Sequence, residues 1–381
     1  MDVSSHPGDT LVLEAAHFQE LIEALRRRGY TLVGPTVRDK SIVYDVIEHA
    51  HDLPTGWTDN HGRGRYALER RADEAWFGYV VGPHSWKKYL HPPQVTLWRA
   101  RQTRQGWEPL EEESRPPRYA FLGVRACELA AIAVQDKVFM GPHGIDPIYS
   151  ARRAGVFIVA VNCGQAGANC FCASMGTGPA VTTGYDLALT EMVEAEAHHF
   201  VVAVGSTAGA EVMGEVQHRA ATETDRARAK SIVAETAEHM GRAVRTEGLK
   251  EALQAGYQHP AWQAVAGRCL ACANCTMVCP TCFCATVEDE RSLTGDSAER
   301  VRVWDSCFNL DFSYIHGGPI RPSVAARYRQ WATHKFAGWI DQFGTSGCVG
   351  CGRCITWCPA AIDITEEIAV VSEQPMLRAA S

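Results

Sequence analysis

The chain has 381 residues, 46% of them hydrophobic and 21% charged, with a formal net charge of −7 at pH 7. That length suggests two or three domains with real cores, while the acidic balance and the lack of a polybasic block argue against nucleic acid or an anionic membrane surface as partner. No apolar stretch approaches the roughly 20 residues of a membrane span. Residues 1–5 carry neither a signal peptide nor a twin-arginine signal, so the expected location is the cytoplasm.

Residues 10–28 read as an amphipathic helix, with Leu13, Phe18, Leu21, Ile22 and Leu25 at helical spacing. Short β-branched and aromatic runs at Thr31–Val33, Ile42–Tyr44 and Trp76–Val81 read as strands. Residues 101–117 are polar and dotted with proline, the composition of a surface loop. Two buried-strand signals follow, Tyr119–Val124 and Val156–Val161, with a helix-like run from Glu128 to Val138 between them. That alternation predicts a βαβ unit and a parallel or mixed sheet. His199–Val204 adds a strand, and residues 222–257, charged and alanine-rich, read as two helices. No Gly-x-Gly-x-x-Gly follows a strand and no P-loop is present, so no nucleotide site is expected.

Fifteen cysteines in a reducing compartment are better explained by metal ligation than by disulfides. Eight of them form two runs, Cys269-x-x-Cys272-x-x-Cys275-x-x-x-Cys279-Pro280 and Cys348-x-x-Cys351-x-x-Cys354-x-x-x-Cys358-Pro359. This is the ligand spacing of paired [4Fe–4S] clusters, in which three close cysteines wrap one cluster and the fourth reaches across to the other. The pattern assigns Cys269, Cys272, Cys275 and Cys358 to one cluster, and Cys348, Cys351, Cys354 and Cys279 to the second. A pair of zinc sites built on Cys-x-x-Cys would leave the third cysteine and the Cys-Pro ending of each run without a purpose.

Cys127 and Cys163 each follow the end of a buried strand, the edge at which open α/β sheets bind ligands. Cys170 and Cys172 come soon after, in a loop rich in glycine. These four are candidates for a third [4Fe–4S] cluster, with Met175–Pro179 as a tight turn around it. Cys282, Cys284 and Cys307 stay unassigned: they are structural thiols, a site completed by a non-cysteine ligand, or a substitute for an assigned ligand. Residues 280–347 hold Trp304, Phe308, Phe312, Tyr314, Tyr328, Trp331 and Trp339 with Arg321, Arg327, Arg329 and Lys335. They read as a helical layer packed on the clusters, with a docking face as the sharper alternative.

The stretches Gly123–Ala130, Asn169–Pro179, Trp304–Cys307 and Gln342–Cys354 together resemble the four-iron dicluster subunits of oxidoreductase complexes. These include the beta subunit of NAD(P)-linked, sulfhydrogenase-type nickel–iron hydrogenases and the A subunit of anaerobic sulfite reductase. The resemblance implies a non-catalytic electron-transfer subunit. Its partners would be an FAD- and NAD(P)-binding flavoprotein subunit and a hydrogenase small subunit with its large nickel–iron subunit. The alternative partner is a sirohaem or sulfur-reducing subunit. The ending Cys354–Pro359 with Asp363–Glu367 looks more like the hydrogenase branch. The expected architecture is an α/β domain over 1–221, with a mixed sheet, helices and the third site. A helical bridge follows over 222–260. A mainly helical, ferredoxin-like dicluster domain over 261–381 carries a helical, aromatic insert at 285–345.

Overall fold

A computed structural model describes residues 5–80, 82–110, 117–142, 144–194 and 197–373. The strands in its first half are β1 (Thr10–Glu14), β2 (Thr31–Arg38), β3 (Ser41–Val46), β4 (Trp57–Gly62), β5 (Arg65–Arg70), β6 (Gln94–Thr103) and β7 (Gly106–Leu110). Those in its second half are β8 (Tyr119–Val124), β9 (Phe157–Val161), β10 (Leu187–Val193), β11 (His198–Val204), β12 (Arg219–Ala220), β13 (Ala285–Arg291) and β14 (Ser297–Trp304). Eight of them build one mixed sheet in the order β12-β1-β11-β10-β9-β8-β2-β3. The contacts β2/β8, β8/β9 and β9/β10 are parallel and the flanking ones antiparallel. β9 is buried at all five positions and β8 at five of six, the near-continuous apolar reading of strands covered on both faces. The helix Ala126–Phe139 follows β8 and the connection continues through Pro147–Ala154 into β9, the expected βαβ unit.

Three local expectations are corrected. The helix expected from residue 10 begins at Phe18, because Leu11, Val12 and Leu13 are all buried in strand β1 between β11 and β12. The segment Trp76–Val80 is not a strand: it spends its backbone groups on side chains instead, Trp76 and Phe77 donating N–H to Glu191 (2.6 and 2.8 Å). Val81 lies outside the described residues. The expected loop over 101–117 begins as a hairpin, β6 and β7, with residues 111–116 outside the described residues.

That hairpin has a distant partner. β13 and β14 form a second hairpin, and β14 pairs with β6 to give a four-stranded antiparallel sheet, β13-β14-β6-β7. The insert expected to be helical therefore opens with β structure and turns helical only from Val324. There Tyr328 and Trp331 join Phe308 in a core that also takes in Trp262, Ile355 and Ile364, with cysteines of both runs packed on it. Phe308, Tyr328, Trp331 and Trp339 are buried, as the layer-packing reading expects, whereas Phe312 is half-buried and Tyr314 well exposed. No helix among the described residues is long and apolar enough to cross a membrane.

Candidate iron–sulfur sites

At the C-terminal end of β8 the register slips at Gly123, which has φ +90°. Such a bulge re-aims the residues that follow it. Arg125 then caps the helix Ala126–Phe139 and turns inward, with both Nη atoms on backbone: Nη2 donates to the carbonyls of Phe77 and Tyr79 (2.8 Å each) and Nη1 to Asn162 (3.2 Å). Cys127 sits in the first turn of that helix. Cys163 lies just beyond β9, facing the Arg125 guanidinium. Cys163 and Cys172 lie near both Cys127 and Cys170, so the four sequence-selected thiols are drawn toward one sheet edge. Burial pushes the Cys127 and Cys170 thiols well above their usual range.

The loop that carries Cys170 and Cys172 is pressed against the second ferredoxin-like run. Phe171 N–H donates to the Gly350 carbonyl (2.8 Å) and Thr177 Oγ1 to the Val349 carbonyl (2.7 Å). A Cβ on Gly350, which has φ +65°, would stand 2.6 Å from the Cys172 nitrogen. Replacing Gly350 with alanine should therefore cost about 2 kcal/mol or more, from the left-handed backbone and the overlap together. The expected readout is a lowered thermal midpoint with loss of iron; an unchanged midpoint would show that the two loops are not in register as described. Gly178 is close-packed on the other side, its Cβ position 3.1 Å from Cys172 Sγ. This is the close turn expected of Met175–Pro179.

A buried ion pair locks the same junction. Glu128 and Arg353 pair at 1% exposure each. The Glu128 carboxylate also accepts from Tyr44 Oη (2.9 Å), Trp86 Nε1 (3.0 Å) and Arg125 N (3.1 Å), and Arg353 Nε donates to the Gly82 carbonyl (3.0 Å). Behind it, the Asn169 loop and the β4–β5 hairpin both brace the end of the second run. Asn169 Nδ2 donates to Thr356 Oγ1 (2.8 Å), Gly64 N–H to the Ile355 carbonyl (3.0 Å), and Tyr66 stacks on Trp357 at 5.0 Å.

The two runs fold into two adjoining groups of thiols. Cys275 faces Cys269, Cys272 and Cys358. These four line a largely apolar cavity with about 440 Å³ of unfilled space, mouth included, walled by Phe308, Tyr328, Trp331 and Ile364. In the second set Cys354 faces Cys348, Cys351 and Cys279. Cys279, and not Cys282, is the thiol presented to that set. The sets adjoin: Cys354 also lines the first cavity, and Cys351 faces Cys127 and Cys172 of the N-terminal group. Cys272 is exposed at the far end.

Among the described residues no three His, Cys, Asp or Glu side chains crowd round a single ion. A lone zinc would draw its sulfurs in to about 2.3 Å, whereas Cys269, Cys272, Cys275 and Cys358 line a shared open space. One cation at the site was only a member of a charged list at the level of sequence. Lys335, in a π-helical turn at His334–Gly338, is buried with Nζ 3.2 Å from Cys279 Sγ and 3.0 Å from Thr281 Oγ1. The hydrogen bond from Cys282 and then the Lys335 charge hold Cys279 well below the usual thiol range. Arg353 lay inside a motif with no visible partner, because Glu128 is 225 residues away in sequence.

Residues 268–362 match the 4Fe-4S dicluster domain family. No solved structure matches the chain. Over 366 residues, 95% of this chain and 98% of the relative, it is 32% identical to sulfhydrogenase 2 subunit beta of Pyrococcus furiosus. An iron–sulfur electron-transfer role goes with such a domain, and an alignment of that extent places the chain in the family of sulfhydrogenase beta subunits.

Proposed function

We propose that this chain relays electrons between a flavoprotein subunit that handles NAD(P)H and the small subunit of a nickel–iron hydrogenase. Cys269, Cys272, Cys275 and Cys358 would hold one [4Fe–4S] cluster, Cys348, Cys351, Cys354 and Cys279 a second, and Cys127, Cys163, Cys170 and Cys172 a third. Bound clusters supply one-electron redox chemistry, tuned by burial and hydrogen bonding. The observation that carries the reading is contiguity: the cysteine groups adjoin one another from the sheet edge to exposed Cys272. The protein's part is to exclude water from the inner groups, which the aromatic wall and the buried Glu128–Arg353 pair do. The three-part division at about residues 221 and 260 belongs to the same proposal, as does a cytoplasmic location. A sulfhydrogenase relative over almost the whole chain favours the hydrogenase partner over a sulfite reductase.

The test is anaerobic affinity purification of the tagged chain from its native host. Co-purification with a flavoprotein and nickel–iron subunits, and hydrogen-dependent NAD(P) reduction by the preparation, is the expected result. A sirohaem-containing partner with sulfite-reducing activity would overturn the hydrogenase assignment. Zinc in place of iron in the chain would overturn electron transfer itself.

A further inference from the structure

Cys282, Cys284 and Cys307, left outside the relay, form no group of three side chains around an ion among the described residues. A buried polar pair lies instead beside the N-terminal thiols. Asp59 and His61 stand two apart on β4, so their side chains share one face of the β4–β5 hairpin. Both are closed to solvent, with side-chain exposures of 1% and 4%. They are in hydrogen-bond contact through Asp59 Oδ2 and His61 Nδ1.

The pair reaches the surroundings of Cys170 from two sides. Asn169 N–H donates to His61 Nε2 (3.4 Å), and the turn closes through Cys170 N–H to the Gly167 carbonyl (3.0 Å). A Cβ on Gly167 would overlap the His61 ring, so the imidazole packs directly on the backbone of that turn. On the other side Asp59 Oδ1 accepts from Val80 N–H (2.6 Å), and Val80 packs on Cys170. One carboxylate and one ring therefore fix both the turn that carries Cys170 and a side chain that walls it.

The same hydrogen bonds place the proton. A neutral imidazole carries one N–H, and the nitrogen that accepts cannot be the one that carries it. His61 Nε2 accepts from Asn169, so Nδ1 holds the hydrogen and donates it to Asp59. Asp59 then has two neutral donors, and no Arg or Lys among the described residues pairs with it. The carboxylate across the turn is treated differently. Arg242, which donates to the Ala168 carbonyl (3.0 Å), pairs with Asp363, and so does Arg63. A buried carboxylate without a cation costs free energy. Beside a cluster, its charge disfavours the more negative reduced state.

We propose that Asp59 and His61 are the positioning pair of the cluster read at Cys127, Cys163, Cys170 and Cys172. His61 seats the Cys170 turn, and the Asp59 charge holds that cluster's potential down. The inference rests on the third cluster of the proposed relay. Neither residue is a ligand; they act through Asn169 and Val80.

The test is redox titration followed by EPR on the anaerobically purified full chain, with iron counted, for wild type, Cys172→Ala, Asp59→Asn, His61→Gln and Gly167→Ala. The component lost in Cys172→Ala identifies the N-terminal cluster. In Asp59→Asn that component should become easier to reduce by tenfold or more, about 59 mV upward for one electron. Its iron should be retained and the ferredoxin-pair components unmoved. His61→Gln keeps the carboxylate and offers Asn169 N–H an acceptor, so its shift should be less than half as large. Gly167→Ala should lose that cluster's iron alone, about four per chain. About eight irons in the wild type would remove the third cluster and this role with it. About twelve irons with an unmoved component in Asp59→Asn would overturn this proposal alone. Equal shifts in every component, or a shift in His61→Gln as large as in Asp59→Asn, would also overturn it, by showing a loosened fold in place of a lost charge. If Asp59→Asn does not accumulate, Gly167→Ala decides, and full iron there overturns the proposal.

Discussion

Replacing Glu128 with alanine is expected to destabilise the protein by about 3–5 kcal/mol, the range for removing one partner of a buried ion pair. The loss is large because more than Arg353 is orphaned. Tyr44 Oη, Trp86 Nε1 and Arg125 N all lose their acceptor in a region closed to water. Among the described residues Arg353 Nη1 has no partner, and Nε keeps only the Gly82 carbonyl. Replacing Arg353 with methionine in the Glu128→Ala background should recover part of the loss, since an unpaired buried charge costs more than an apolar side chain of similar length. Urea midpoints followed by tryptophan fluorescence, with iron retained as a second readout, measure both. A cost below about 1 kcal/mol, or strict additivity of the two substitutions, would show that the pair does not hold the α/β sheet to the second run.

Residues close in sequence were the legible part of this molecule. The two cysteine runs carry their ligand pattern in spacings of two and three residues, and in the fold Cys275 and Cys354 each face the thiols of their own expected set, with Cys279 near both. The Cys127 group was legible through buried strand ends, because β8 and β9 are apolar at nearly every position. What spacing could not show was who meets whom across the chain. β6 is largely exposed and carries no strong strand signal, and it becomes a sheet member because β14, some 200 residues later, pairs with it. Trp76–Val80 has strand composition but is used to feed carbonyls to Arg125 and N–H groups to Glu191. Lys335 and the Glu128–Arg353 pair are buried charges, and a sequence read by hydropathy places charges outside. Each is buried only because its partner arrives from a distant segment.

Lys335 gives the second large expectation. Replacing it with methionine should lower the reduction potential of the cluster proposed at Cys348, Cys351, Cys354 and Cys279. Reduction adds negative charge beside Cys279, and a cation there favours the reduced form. At an effective dielectric of about 20, a unit charge roughly 5 Å away is worth about 3 kcal/mol. With about 59 mV per tenfold change for one electron, the shift is on the order of 100 mV downward. Methionine is a fair probe because the scaffold survives it: Thr281 Oγ1 keeps its own bond to the Gly347 carbonyl (2.7 Å), and Gly347 N–H keeps the Lys335 carbonyl (2.8 Å). Lys335→Arg retains the charge and should move the potential little. Redox titration followed by EPR resolves this component from the cluster at Cys269, Cys272, Cys275 and Cys358, which lies farther from the ammonium and should shift less. An upward shift, or equal shifts in every component, would mean that the Lys335 charge acts on the fold as a whole and not on Cys279.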